Sequence, residues 1–146
     1  LQKSGEGLNL LRKTKEKATT EFQNENYANA IKIIENQILP TGNTSAFDYV
    51  ILSKSYLLLK QFDKAEKYCL QGISQDGTEI GLQLQLAHIY MFTGKFSEAK
   101  ALHEKYKNQN ISNEMSWKTQ TQNDFNSFEK AGLPTDKFKK ILRILE

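Results

Sequence analysis

Residues 49–69 read YVILSKSYLLLKQFDKAEKYC, and residues 83–103 read QLQLAHIYMFTGKFSEAKALH. The two stretches match in register at a spacing of 34 residues. The matched pairs are Leu52 and Leu86, Ser53 and Ala87, Tyr56 and Tyr90, Phe62 and Phe96, and Ala65 and Ala99. Small and aromatic residues that recur at this interval predict a helix–turn–helix unit that stacks on its neighbours.

Helical spacing of apolar residues and the turn residues between them divide the chain into helices that pair. Thr44 or Ser45 can cap the third helix, with Asp48 in its first turn, and Ser112 can cap the seventh. Gly77 is expected to end the fourth helix in a left-handed conformation. No stretch alternates like a strand. The eight predicted helices cover residues 7–24, 27–39, 44–60, 62–74, 78–93, 96–109, 113–131 and 138–145.

The second unit reads Tyr49-x2-Leu52-Ser53-x2-Tyr56 followed by Ala65-x3-Cys69. The third reads Gln83-x2-Leu86-Ala87-x2-Tyr90 followed by Ala99-x3-His103. Both resemble the tetratricopeptide repeat, whose pattern is W-x2-L-G-x2-Y and then A-x3-F. The first unit matches less well, and the 35 residues from Ala30 to Ala65 indicate one residue inserted in a turn.

The resemblance implies an all-α fold, a right-handed α-solenoid of about eight helices with an atypical last pair. We expect one domain over residues 1–146, with units at about 8–42, 44–77 and 78–111 and a terminal cap pair at 112–146. A non-repetitive helical bundle is the alternative. Trp117, Phe125 and Phe128 are expected to form the core of the cap.

Composition limits the classes of function. The 146 residues are 38% hydrophobic and 25% charged, with a net charge of +3, a weak basis for nucleic-acid binding. A single cysteine, Cys69, excludes a disulfide framework and a cysteine-based zinc site. No apolar run is long enough to span a membrane. The chain starts at Leu1 and not at a methionine, so an upstream segment such as a signal peptide is conceivable. We expect a cytoplasmic location by default and a periplasmic one if such a signal peptide was removed. Abundant Lys, Asn and Ile suggest a bacterial genome.

In the family that the chain resembles, the first helix of each pair lines a concave groove that binds ligands. Units two and three are unusually apolar along this line, above all at the doublets Leu57-Leu58 and Met91-Phe92. An exposed apolar patch marks a binding surface, and methionine suits an adaptable peptide site. The groove residues predicted by position are Lys15, Phe22, Val50, Lys54, Leu57, Leu58, Leu84, His88, Met91 and Phe92.

The predicted groove residues allow two interpretations. They could line a groove that binds a peptide, or they could be buried between repeats or beneath the final helix. His88 is expected on the groove face, as a solvated histidine or, alternatively, as one that hydrogen-bonds a ligand. His103 and Cys69 are expected in the core. Lys15 matches one lysine of the clamp with which some family members hold an acidic chaperone tail, but the other clamp positions differ, which argues against that ligand.

Motifs for catalysis, phosphate binding or metal binding are not visible, so we expect no enzyme, no cofactor and no metal. The prediction is a protein–protein interaction module, an adaptor or scaffold that binds an extended peptide or a partner helix in its groove. A self-associating scaffold, for example a homodimer that buries the apolar doublets or the cap, is the alternative. Neither nucleic acid nor a membrane is an expected partner.

Overall fold

A computed structural model describes residues 2–146, with side chains from Gly5 onward. Eight α-helices occupy most of this part of the chain, which confirms the all-α helical-repeat fold. The elements in chain order are α1 (Gln2–Gln23), α2 (Tyr27–Ile33), α3 (Ala46–Leu58), α4 (Phe62–Gln75), α5 (Ile80–Phe92), α6 (Phe96–Tyr106), β1 (Asn110–Ser112), β2 (Met115–Ser116), α7 (Trp117–Lys130) and α8 (Phe138–Ile144).

Small residues bring helices close to one another in the stack. Ser53 in α3 is fully buried, and its hydroxyl donates a hydrogen bond to the backbone carbonyl of Ala65 in α4 at 3.1 Å. A Cβ atom added to Gly72 in α4 would lie 2.8 Å from the Cβ of Tyr49 and 3.0 Å from Cδ1 of Leu82. The close packing at Gly72 therefore joins α4 to both α3 and α5.

The turns show which capping predictions hold. Ser45 and Asp48 form a capping box at the start of α3, each side chain accepting a hydrogen bond from the other residue's backbone N–H. The expectation for Gly77 was wrong, because α4 ends in an extended Asp76 instead. Gly94 and Gly132 do adopt the left-handed conformation, both with φ of 82°, in the turns after α5 and α7.

The extra residue of the first unit lies in the helix and not in the turn where it was expected. The helix that begins as α2 continues as a π-helical turn over Ile34–Ile38 and a 3₁₀ turn over Leu39–Thr41. A π turn spans one residue more than an α turn because its hydrogen bonds run from residue i to i+5. The interval from Tyr27 to Ala46 is accordingly one residue longer than that from Phe62 to Ile80.

The segment that leads to α7 is the main departure from the predicted secondary structure. Residues 110–116 form a two-stranded antiparallel hairpin, although no strand was expected. Ser116, not Ser112, caps α7, since its hydroxyl accepts a hydrogen bond from the backbone N–H of Thr119 at 3.0 Å. The hairpin lets α7 return towards α3 and α5.

Apolar side chains from all four helix pairs join in one core, which extends from Ala18 to Leu145. Within residues 2–146, no helix combines the length and the apolar character needed to cross a bilayer.

Candidate binding cleft

Helix α7 lies across the face of α3 and α5 that the repeat pattern assigns to the groove. The ring of Phe128 meets the ring of His88 edge to face, with centroids 4.9 Å apart, and that of Phe92 in the same way at 5.2 Å. Trp117 and Phe128 are fully buried, and Phe125 is 3% exposed. Burial of a large apolar side chain stabilises by about 1.5–3 kcal/mol, so these three aromatic residues seat α7 firmly in the groove.

A buried carboxylate holds α7 to both repeat helices beneath it. Oδ1 of Asp124 lies 2.5 Å from Nζ of Lys54 in α3, and Oδ2 lies 2.9 Å from Nε2 of His88 in α5. The amide of Gln120, one turn earlier in α7, donates a further hydrogen bond to Oδ1 at 2.8 Å. Asp124 is therefore a polar contact point inside an otherwise apolar interface.

The surroundings of Asp124 keep it ionised and keep His88 neutral. Burial by itself raises the pKa of Asp124, but the Lys54 ammonium and the hydrogen bond from His88 outweigh it and lower the pKa to about 2. Complete burial lowers the pKa of His88, against the opposing effect of Asp124. The resulting pair at neutral pH is a carboxylate and an uncharged imidazole.

The second histidine anchors the start of α7. The indole Nε1–H of Trp117 donates a hydrogen bond to Nδ1 of His103 in α6 at 2.9 Å. His103 is fully buried, and desolvation together with the neighbouring His88 lowers its pKa to about 3. His103 lies in the core as its repeat position indicates, and in addition it fixes α7 to α6.

The structure divides the ten predicted groove residues into a buried and a partly accessible group. Helix α7 fills the groove, so the buried residues do not form the accessible surface that was expected of them. The prediction of His88 as a solvated histidine was wrong for the same reason. The buried residues are Leu57, Leu58, Leu84, His88 and Met91. The half-buried residues are Lys15, Phe22, Val50, Lys54 and Phe92.

An open cleft remains between α1, α3, the start of α5 and one side of α7. Its volume is about 280 Å³. Phe47, whose side chain is 57% exposed, stands at its edge, and the 2% exposed Gln85 lies at its base with a carbonyl oxygen that has no hydrogen-bond partner. The lining residues are Thr19, Phe22, Gln23, Phe47, Val50, Ile51, Lys54, Glu79, Gly81, Gln85, Ile111 and Gln120.

The cations beside the cleft are already paired. Lys54 contacts Asp124, and Nζ of Lys15 lies 2.8 Å from Asp48 and donates to the backbone carbonyl of Asn43. Arg12, further along α1, pairs with Glu16. An acidic ligand would have to displace these partners, so the cleft favours apolar and neutral groups.

The repeat architecture agrees with the comparison to known families. A model of the tetratricopeptide repeat matches residues 49–78 and 80–106, which cover most of α3 and all of α4, α5 and α6. Residues 49–106 of the chain thus carry two tetratricopeptide repeats. The chain is 32% identical over 75 residues to the human cilia- and flagella-associated protein 70, a match that covers 51% of this chain and 7% of the human protein. Tetratricopeptide repeats mediate protein–protein interactions and are typically not catalytic.

Sequence reasoning did not predict Asp124, which joins α7 to α3 and α5, or Gln120 and Gln85 as residues that line the cleft. A usable signal was present in α5, because Ile80–Phe92 is apolar on all sides, the pattern of a helix that is buried all round. Such a helix in a two-layer solenoid needs a third element to cover it. Among the described residues, no group of three or more His, Cys, Asp or Glu is placed to hold a metal ion.

Proposed function

We propose that this protein binds an extended, largely uncharged peptide in the cleft between α1, α3 and α7. The observation that carries the proposal is an apolar cleft whose neighbouring cations are neutralised while Phe47 stays 57% exposed at its edge. A volume of about 280 Å³ suits one or two side chains of a peptide, since pockets for drug-sized ligands are generally larger.

The lining suggests how a peptide would be held. Phe22, Phe47 and Val50 offer an apolar seat for an anchoring side chain. The amides of Gln85, Gln120 and Gln23 lie along the same cleft and can exchange hydrogen bonds with a peptide backbone. This proposal places the ligand beside α7 and not in the groove that α7 occupies. It also treats the chain as one domain, because one core joins all helix pairs.

The test is a selection from a displayed library of random peptides on the purified protein, followed by affinity measurement for the selected peptides. Phe47→Glu should weaken binding at least tenfold, about 1.4 kcal/mol, by placing a charge in the apolar seat. Leu70→Glu is the matched control, since Leu70 is 42% exposed on α4 and does not line the cleft. Equal affinity of both variants for the same peptide would refute the cleft as the binding site.

Light scattering on the same samples distinguishes a peptide site from self-association. A dimer that dissociates in Phe47→Glu but not in Leu70→Glu would assign the cleft to a second copy of the chain, and the proposal of a foreign peptide would then fail.

A further inference from the structure

Two buried ring nitrogens on neighbouring helices have no hydrogen-bond partner. These are Nδ1 of His88 in α5 and Nε2 of His103 in α6. The two imidazole rings are adjacent, with centroids 6.3 Å apart. Buried polar atoms are almost always hydrogen-bonded, so two unpartnered atoms on adjacent rings point to a common explanation.

The partners of the other two ring nitrogens determine where the protons are. An indole N–H only donates, so Nδ1 of His103, which accepts from Trp117, carries no proton, and the proton of neutral His103 is on Nε2. An ionised carboxylate only accepts, so His88 donates from Nε2 to Asp124, and its Nδ1 has a free lone pair. The two unpartnered atoms are thus one donor and one acceptor.

We propose that one water molecule accepts a hydrogen bond from His103 Nε2–H and donates to His88 Nδ1, and so completes a hydrogen-bonded relay that is a pH-sensitive latch for α7. The relay runs from Trp117 through His103 and His88 to Asp124 and Lys54. It connects α6, α5 and α3 to two points of α7 that are seven residues apart. This inference stands independently of the peptide proposed for the cleft.

The order of donors and acceptors makes the relay intolerant of an added proton. A proton on Nδ1 of His103 would face the indole N–H of Trp117, which can only donate. At His88 the water molecule could turn and accept from an added N–H, so the conflict arises at His103. Proton uptake by His103 therefore breaks the buried hydrogen bond from Trp117 that holds α7.

The charged and titratable groups that face the two imidazole rings have opposite effects on the pKa values of these rings. Asp124 from α7 favours a protonated His88, whereas Lys54 from α3 opposes it, and His88 in turn lowers the pKa of His103. Burial lowers the pKa of both histidines, so the closed state resists protonation while an opened state binds protons with the usual pKa near 6.5. Acidification below about pH 6.5 thus favours release of α7.

Trp117 is the only tryptophan of the chain, so its fluorescence reports the seating of α7. As the pH falls from about 7.5 to about 4, we expect the emission to shift to longer wavelength and quenching by acrylamide to rise. The helical ellipticity at 222 nm should stay largely unchanged over the same range. No shift in emission, or a parallel loss of ellipticity that indicates global unfolding, would overturn the latch.

Two substitutions remove the titrating rings while preserving the outer bonds of the relay. In His103→Asn the side-chain oxygen can still accept from Trp117, and in His88→Gln the side-chain amide can still donate to Asp124. The double variant should lose the low-pH fluorescence step. Persistence of the same step in the double variant would contradict the proposal.

A second measurement on the unmodified protein does not depend on the folding of any variant. Nitrogen chemical shifts of both imidazoles at about pH 7.5 should show the neutral form with the proton on Nε2 at His88 and at His103. A proton on Nδ1 of either ring would overturn the relay.

Discussion

Substitution of Asp124 by alanine should destabilise the protein more than any single surface change. The Asp124 side chain is only 3% exposed and binds Lys54, His88 and Gln120. Alanine would leave the Lys54 side chain, which is only 14% exposed, without its counter-charge, and the N–H of His88 without an acceptor. Both groups lie under α7, so the damage falls on the attachment of α7 to α3 and α5.

The expected loss follows from the cost of an unpaired buried charge. Removing one partner of a buried ion pair typically costs about 3–5 kcal/mol. The lower end applies here, because the Lys54 ammonium lies beside the cleft and can turn towards water. We therefore expect a loss of about 3 kcal/mol in the free energy of unfolding, a large part of the roughly 5–15 kcal/mol that stabilises a typical domain.

Urea denaturation followed by ellipticity at 222 nm measures this loss. Lys130→Ala is the control, since it breaks the exposed ion pair of Lys130 with Glu25 and should leave the unfolding midpoint unchanged. A triple variant with Lys54→Met, His88→Leu and Asp124→Leu should recover most of the stability, because it removes the buried charge together with the two groups left unpaired by its loss. A loss below about 1 kcal/mol in Asp124→Ala would refute the view that Asp124 holds α7.

Three further predictions address other parts of the fold. Gly72→Ala should lower the free energy of unfolding, measured by urea denaturation, by about 1–3 kcal/mol, because the new methyl group would lie 2.8 Å from the Tyr49 side chain. Gly77→Ala is the control and should change this free energy little, and equal effects of the two substitutions would contradict the close packing at Gly72. Cys69 should react with a thiol reagent only after denaturation, since burial raises its pKa to about 12, and rapid labelling of the native protein would show otherwise. The free energy of unfolding should fall as the pH drops from 6.5 towards 3, by about 2 kcal/mol at pH 5. The reason is that burial lowers the pKa of His103 to about 3, so that over this range only the unfolded state binds the proton. A free energy of unfolding that does not change with pH in urea titrations would contradict this.

The repeat itself could be predicted from sequence because its signals are local. Ser45 and Asp48 are three residues apart, and their capping box needs only one helix turn. Ser53 and Ala65 belong to consecutive helices of one pair, so the close approach is repeated wherever small residues recur at the same spacing. These features follow from helix geometry and are independent of the rest of the chain.

The site could not be predicted in the same way because its contacts are distant in sequence. Asp124 contacts residues 70 and 36 positions earlier, in α3 and α5, and no periodic pattern encodes such pairs. The same helical spacing in α3 and α5 is compatible with an open groove and with a covered one. Only the hairpin before α7 directs that helix back over the groove, and short strands with mixed residues leave little signal in a sequence.

By itself, the sequence determined that helices pair and stack, which residues lie between them, and that the chain carries tetratricopeptide repeats. The tertiary structure alone decided that α7 occupies the groove, that His88 is buried against Asp124, and that a narrower cleft beside α1 stays open. The physical reason is that helix periodicity specifies which face is apolar, whereas the partner of that face depends on long-range packing of aromatic rings and on one buried carboxylate.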